Sequence, residues 1–159
     1  MFETSIYFMF ILLILFLITI YVYIALALQT IGKKLGYKKS WLAWIPIGNL
    51  LMIFEMGGFH WGFTFLTVLP FYFNISDLFP IFAIDLLLQS RVFLIIGIIN
   101  GIILTIVLTI AFWSIFEKRN YSGYISLLIL LLIIPFLNFI ASILFLIAIG
   151  IVAWNDSPS

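Results

Sequence analysis

The chain has 159 residues, of which 66% are hydrophobic and 8% charged, with six acids, seven bases and a formal net charge of +1. Mean hydropathy is +1.36, and a soluble fold of this length has too little interior to hide so much apolar surface. The near-zero charge gives no basic footprint for nucleic acid, and the absence of cysteine excludes disulfides, thiolate metal sites and a cysteine nucleophile.

The first element runs from Ser5 to Leu28, an uninterrupted stretch without a charge. It is long enough for the roughly 20 apolar residues that a helix needs to cross a bilayer. Glu3 stands where a signal peptide carries positive charge, the run is too long, and no clean small-x-small site follows, so the stretch reads as a span. Lys33, Lys34, Lys38 and Lys39 come next. The region from Trp41 to Leu88 is harder to read, because it holds Pro46, Pro70, Pro80 and the pair Gly57-Gly58. Residues 41–56 are expected to lie at, or dip into, the face marked by the lysines. Lys38 and Lys39 suit anionic headgroups there, and Trp41 and Trp44 suit the interface. A crossing is expected over 62–76. An amphipathic helix on the opposite surface is expected over 78–91, with Ser76 and Asp77 as caps, Pro80 in its first turn, and Asp85 in water or paired with Arg91.

Val92 to Phe116 is the second clear span, followed by Lys118 and Arg119, and a third apolar run, Tyr124 to Trp154, is broken by Pro135 to leave a span over about 130–154. Short loops rich in Lys and Arg stay cytoplasmic. Both clear spans therefore run from outside to inside, and an odd number of crossings, one or three, separates them. The reading is an all-α integral membrane protein with about four transmembrane helices, proline-broken or interfacial segments, and both termini outside the cell membrane.

A weak internal repeat supports it. Ile45-Pro46 with Asn49 is echoed by Ile134-Pro135 with Asn138, each downstream of a span and its bases, and Leu69-Pro70 with Asn74 is a looser third version. Proline inside a helix frees the carbonyl four residues earlier, here Leu42, Leu66 or Leu131, which in lipid must find another donor. Asn49 and Asn138 lie about two turns from those carbonyls, so they are expected to bond to other helices.

Lys34-Leu35-Gly36, Trp41-Leu42-Ala43-Trp44-Ile45-Pro46 and Asn49 resemble a widespread family of small, uncharacterised prokaryotic multi-pass membrane proteins, in which a basic Lys-x-Gly turn precedes Trp-x-Ala-Trp-Ile-Pro and an Asn. Ile115 to Arg119, with Pro135 and Asn138 downstream, is similar to the family's second half, whereas Phe63 to Ser90 diverges. The resemblance implies a membrane topology. It carries over no catalytic residue and no reaction.

Embedded ionisable residues are the functional candidates, because they are costly in lipid and face protein or water. Glu55 and His60 flank Gly57-Gly58, a turn that lets a carboxylate orient an imidazole. Two groups fall short of the three or four ligands of a zinc site, so no metal and no cofactor is expected. Asp85 is the third candidate, buried in an ion path or solvated on a surface helix. Gly97, Gly101 and Thr105 share one face of the second clear span and permit close helix approach. With Asn49 and Asn138 they are the candidate packing residues. Three functions remain: a non-catalytic accessory, assembly or structural subunit packed against other integral membrane proteins, with lipid as the other neighbour and nucleic acid as none; a transporter or channel with a path through Asn49, Asn74, Asp85, Asn100 and Asn138; and a membrane enzyme using Glu55, His60, Asp77 or Asp85.

Overall fold

The computed structural model describes residues 2–65 and 86–155, with side chains over 6–65 and 95–155. All regular structure among them is helical: α1 (Phe2–Lys34), α2 (Pro46–Gly57), α3 (Leu86–Lys118), the single turn α4 (Leu128–Leu131) and α5 (Pro135–Trp154), with 3₁₀ turns at Ser40–Trp44, Trp61–Thr64 and Gly123–Leu127. Three of these helices, over Ile6–Lys34, Ile95–Lys118 and Pro135–Trp154, are long and apolar enough to cross a membrane. The chain is an all-α membrane protein. Most of the crossing expected over 62–76, and the expected outer helix up to Asp85, lie outside the described residues. Gly62 to Thr64 belong to a 3₁₀ turn, and residues 86–91 are the first turns of α3 instead of the end of a separate helix.

α1 and α3 each have 33 residues, about 50 Å at helical rise. Neither contains proline, and in lipid an unbroken helix is the arrangement that satisfies every backbone group. Both end in the same way. The chain turns through a left-handed residue, Gly36 at φ 72° or Asn120 at φ 58°, and the amide after it bonds back to the helix: Tyr37 N to Gly32 O at 2.8 Å, and Tyr121 N to Phe116 O at 2.9 Å. This is the Schellman closure, which satisfies terminal carbonyls that would otherwise be orphaned.

Beyond each turn the chain climbs back along the helix it has just left. Trp44 returns to the level of Tyr21 and Gln29, where the Tyr21 hydroxyl donates to Trp44 O at 2.6 Å and Trp44 Nε1 donates to Gln29 Oε1 at 3.3 Å. In the second half Tyr124 meets Trp113 edge-on, with ring centroids 4.9 Å apart. At the top of each climb an extended residue, Ile45 or Ile134, precedes a proline at the first position of a new helix. Pro46 and Pro135 thus begin helices, where a missing N–H costs nothing, and the expectation that they lie inside helices and free carbonyls there is corrected. The Leu42 and Leu131 carbonyls are satisfied locally, by Ile45 N at 3.0 Å and Ile134 N at 3.1 Å. Pro70 lies outside the described residues.

The two halves pack crosswise. α2 lies on α3, and α5 lies on α1. Tyr23 donates to Leu146 O at 2.8 Å and contacts Trp154, while Lys34 reaches Asn155 O at 3.3 Å, so α5 runs parallel to α1 and ends beside its basic terminus. This corrects the expected direction of the last segment, which was to carry the C-terminus to the end opposite the bases. The climb from Tyr121 to Ile134 goes part of that way without a full helix, and α5 then descends. The core sits in the half of the bundle nearest the bases: Ala27, Leu28 and Ile31 of α1, Met52 and Phe54 of α2, Ala111, Ile115 and Phe116 of α3, and Val152 and Ala153 of α5 are buried. Residues 6–18 of α1 are exposed throughout, as suits a surface bathed in lipid.

Candidate functional site

Four helices bring their C-terminal ends to one end of the molecule, and with them the partial negative charge of unpaired carbonyls. The bases answer that charge. Lys118 Nζ donates to Met56 O, in the last turn of α2, at 2.6 Å. Its counterpart Lys34 donates to Asn155 O at the end of α5. Arg119 adds bonds to Val152 O at 3.3 Å and Asn155 O at 3.2 Å. Each repeat therefore closes the short helix of the other.

The two turn tyrosines take part in the same closure. Tyr121 donates to Asn155 O at 3.4 Å, and Tyr37 donates to the Glu55 carboxylate at 2.5 Å. Burial of the Tyr37 ring, and then the neighbouring carboxylate, push its hydroxyl well above the ordinary tyrosine range. Tyr37 is thus a proton holder at any ordinary pH, and Glu55 is occupied by it. A signal for this cluster is present in the sequence as Ile-x-x-Lys-x-Gly-Tyr over Ile31–Tyr37 and Ile-x-x-Lys-x-Asn-Tyr over Ile115–Tyr121.

The structure does not join Glu55 to His60. Gly58, at φ 87°, ends α2, and beyond it the His60 Nδ1 accepts from Gly62 N at 3.1 Å, capping the Trp61–Thr64 turn. The imidazole is exposed and lies against Trp61 with ring centroids 5.1 Å apart. Among the described residues no three His, Cys, Asp or Glu side chains converge to hold a metal ion. Asp85 and Asp77 lie outside the described residues.

The packing candidates divide. Asn138 does not reach another helix: its Nδ2 donates to Leu132 O at 2.8 Å, within the climb that leads to its own helix, and its side-chain oxygen meets Ser142 Oγ at 3.3 Å. The climb brings Leu132 far closer than straight helical rise allows, which is why the expectation fails. Asn49 is half-buried on α2, and its backbone amide bonds to Ile45 O at 2.8 Å. Asn100 is buried, at 7% exposure.

Gly97 and Gly101 differ from the glycines that hold the bundle together. A Cβ at Gly57 would stand 2.7 Å from Ala111 Cα, and one at Gly123 2.5 Å from the Trp113 ring, whereas a Cβ at Gly97 or Gly101 meets nothing within 4 Å among the described residues. Neither α1 nor α5 fills this face of α3. One turn further on, the Thr105 hydroxyl folds back onto Gly101 O at 2.8 Å, so the face presents no unsatisfied donor. No family model, no curated protein and no solved structure matches the chain.

Proposed function

We propose that this protein is a non-catalytic component of a larger membrane assembly, an accessory, assembly or structural subunit that docks another membrane-embedded protein against the Gly97–Gly101–Thr105 face of α3. The observation that carries this reading is that, among the described residues, nothing stands over either glycine. In hydrocarbon there is no hydrophobic drive between helices, and association depends on how closely two backbones can approach. A pair of glycines one turn apart offers that approach, at a helix-propensity cost of about 1 kcal/mol each relative to alanine. Nothing in the described bundle draws on it.

The polar groups support the same reading, because their geometry assigns them to architecture. Glu55 holds Tyr37, His60 caps a turn, and Lys34, Lys118 and Arg119 close helix ends.

Replacing Gly97 and Gly101 together by Leu tests the proposal. The variant should insert and remain folded, yet lose the partner that co-purifies stoichiometrically with the wild type in mild detergent. Retention of the partner contradicts the docking face. Loss of a transport or turnover activity in still-folded Glu55→Gln or His60→Ala would replace the proposal with a transporter or an enzyme.

A further inference from the structure

We propose that the turn joining α1 to α2 is a binding surface for anionic phospholipid, with the headgroup phosphate held by Lys33, Lys38 and Lys39 and an acyl chain laid along Trp41, Trp44 and Ile47. Six bases gather at this end of the molecule, and they fall into two sets. Lys34, Lys118 and Arg119 reach helix-terminal carbonyls. Lys33, Lys38 and Lys39 are exposed, and among the described residues their ammonium groups make no hydrogen bond or ion pair. Three cations left over after the helix ends are closed form a positive patch with no internal use.

The patch continues into an apolar ledge of fixed shape. Ser40–Trp44 is a 3₁₀ turn, in which side chains three apart eclipse, so Trp41 and Trp44 lie on one side of the turn. Both indoles are displayed, at 58% and 41% exposure, and Ile47 follows at 58%. The ledge is rigid because Ala43 is fully buried beneath it and Trp44 is bonded at both its carbonyl and its indole nitrogen. Gln29, which holds that nitrogen, is five residues short of Lys34 on α1, about 7.5 Å deeper by helical rise. Anion recognition at the surface with an aromatic wall below it calls for an amphiphile. An acidic protein segment would match the lysines and leave the wall uncovered.

The second repeat supplies the contrast. Its equivalent turn carries Tyr121, Ser122, Gly123 and Tyr124, and its one additional cation, Arg119, bonds to α5. Lipid selectivity should therefore reside on the first repeat alone.

The test uses the full chain in phosphatidylcholine bilayers, with spin-labelled phosphatidylglycerol and spin-labelled phosphatidylcholine as probes and the protein-immobilised fraction of each read by electron paramagnetic resonance. The wild type should immobilise phosphatidylglycerol in preference, and the preference should fade as salt rises from about 0.01 M to about 1 M. Each of Lys33→Gln, Lys38→Gln and Lys39→Gln should reduce the relative association by up to about fivefold. The triple Lys→Arg variant should keep it. Equal immobilisation of the two probes by the wild type overturns the proposal. So does a preference that survives in the triple Gln variant, or an acidic peptide that displaces phosphatidylglycerol from the wild type.

Discussion

Lys118 of α3 donates to Met56 O of α2, and its counterpart in the repeat, Lys34 of α1, donates to Asn155 O after α5, so that a cation from each half closes the helix of the other. Lys118→Met keeps the aliphatic stem and removes the charge. It should lower the stability of the detergent-solubilised protein by about 1–2 kcal/mol, the range for a partly buried cation at a helix C-terminus, measured as a fall in thermal midpoint. Lys38→Met, at an unbonded lysine, should stay within about 0.5 kcal/mol of the wild type.

The glycines supply an internal comparison. A Cβ on Gly150 would strike the Tyr23 hydroxyl, which is itself committed to Leu146 O. Gly150→Val should destabilise by about 1–3 kcal/mol through overpacking, and Gly57→Val, facing the Ala111 backbone, should behave alike. Gly97→Ala should leave the isolated protein unchanged or slightly more stable, since its Cβ enters open space. Chemical unfolding of the three variants in one detergent separates them.

Hydropathy made α1 and α3 legible, because long apolar runs without proline have one stable form in lipid. The break at Pro135 was legible for the same reason. The route of the chain around the prolines was not. The positive-inside rule orients complete crossings, and a segment such as 121–134, which climbs part of the way without a full helix, carries no charge that marks its turning point. The conserved geometry of the two turns was also hidden, because Pro46 follows Tyr37 by nine residues while Pro135 follows Tyr121 by fourteen, and the insertion breaks the register of the repeat. Glu55 and His60 looked like a pair from their spacing. Their separation comes from the fold, which places Tyr37 against one and the amide of Gly62 against the other.

Tyr37 gives a pH signature. Its folded-state hydroxyl is held above the ordinary value of 10.0 by burial and then by Glu55, so above pH 10 the unfolded chain releases a proton that the folded chain retains. The contribution is fully present below pH 10 and is lost as pH rises beyond it. The difference in stability between the wild type and Tyr37→Phe should be constant up to about pH 10, the unperturbed tyrosine range, and shrink above it. A difference that grows with alkalinity contradicts the buried, carboxylate-bound hydroxyl.

Because the chain has no cysteine, single reporters are clean. Cysteines replacing Ser40, Asn120 and Asn155 should behave alike toward an impermeant thiol reagent in intact cells, all shielded, while one replacing Thr4 is labelled. Labelling at Asn155 together with Thr4 contradicts the parallel placement of α1 and α5.

On the proposed function, the Gly97–Gly101 face is covered by another protein in the membrane. A photoactivatable amino acid at Gly101, irradiated in native membranes, should give a polypeptide adduct of one discrete mass, and the same group at Leu15, on the exposed half of α1, should give none. Lipid adducts alone at Gly101, or an adduct pattern identical at the two positions, would contradict it.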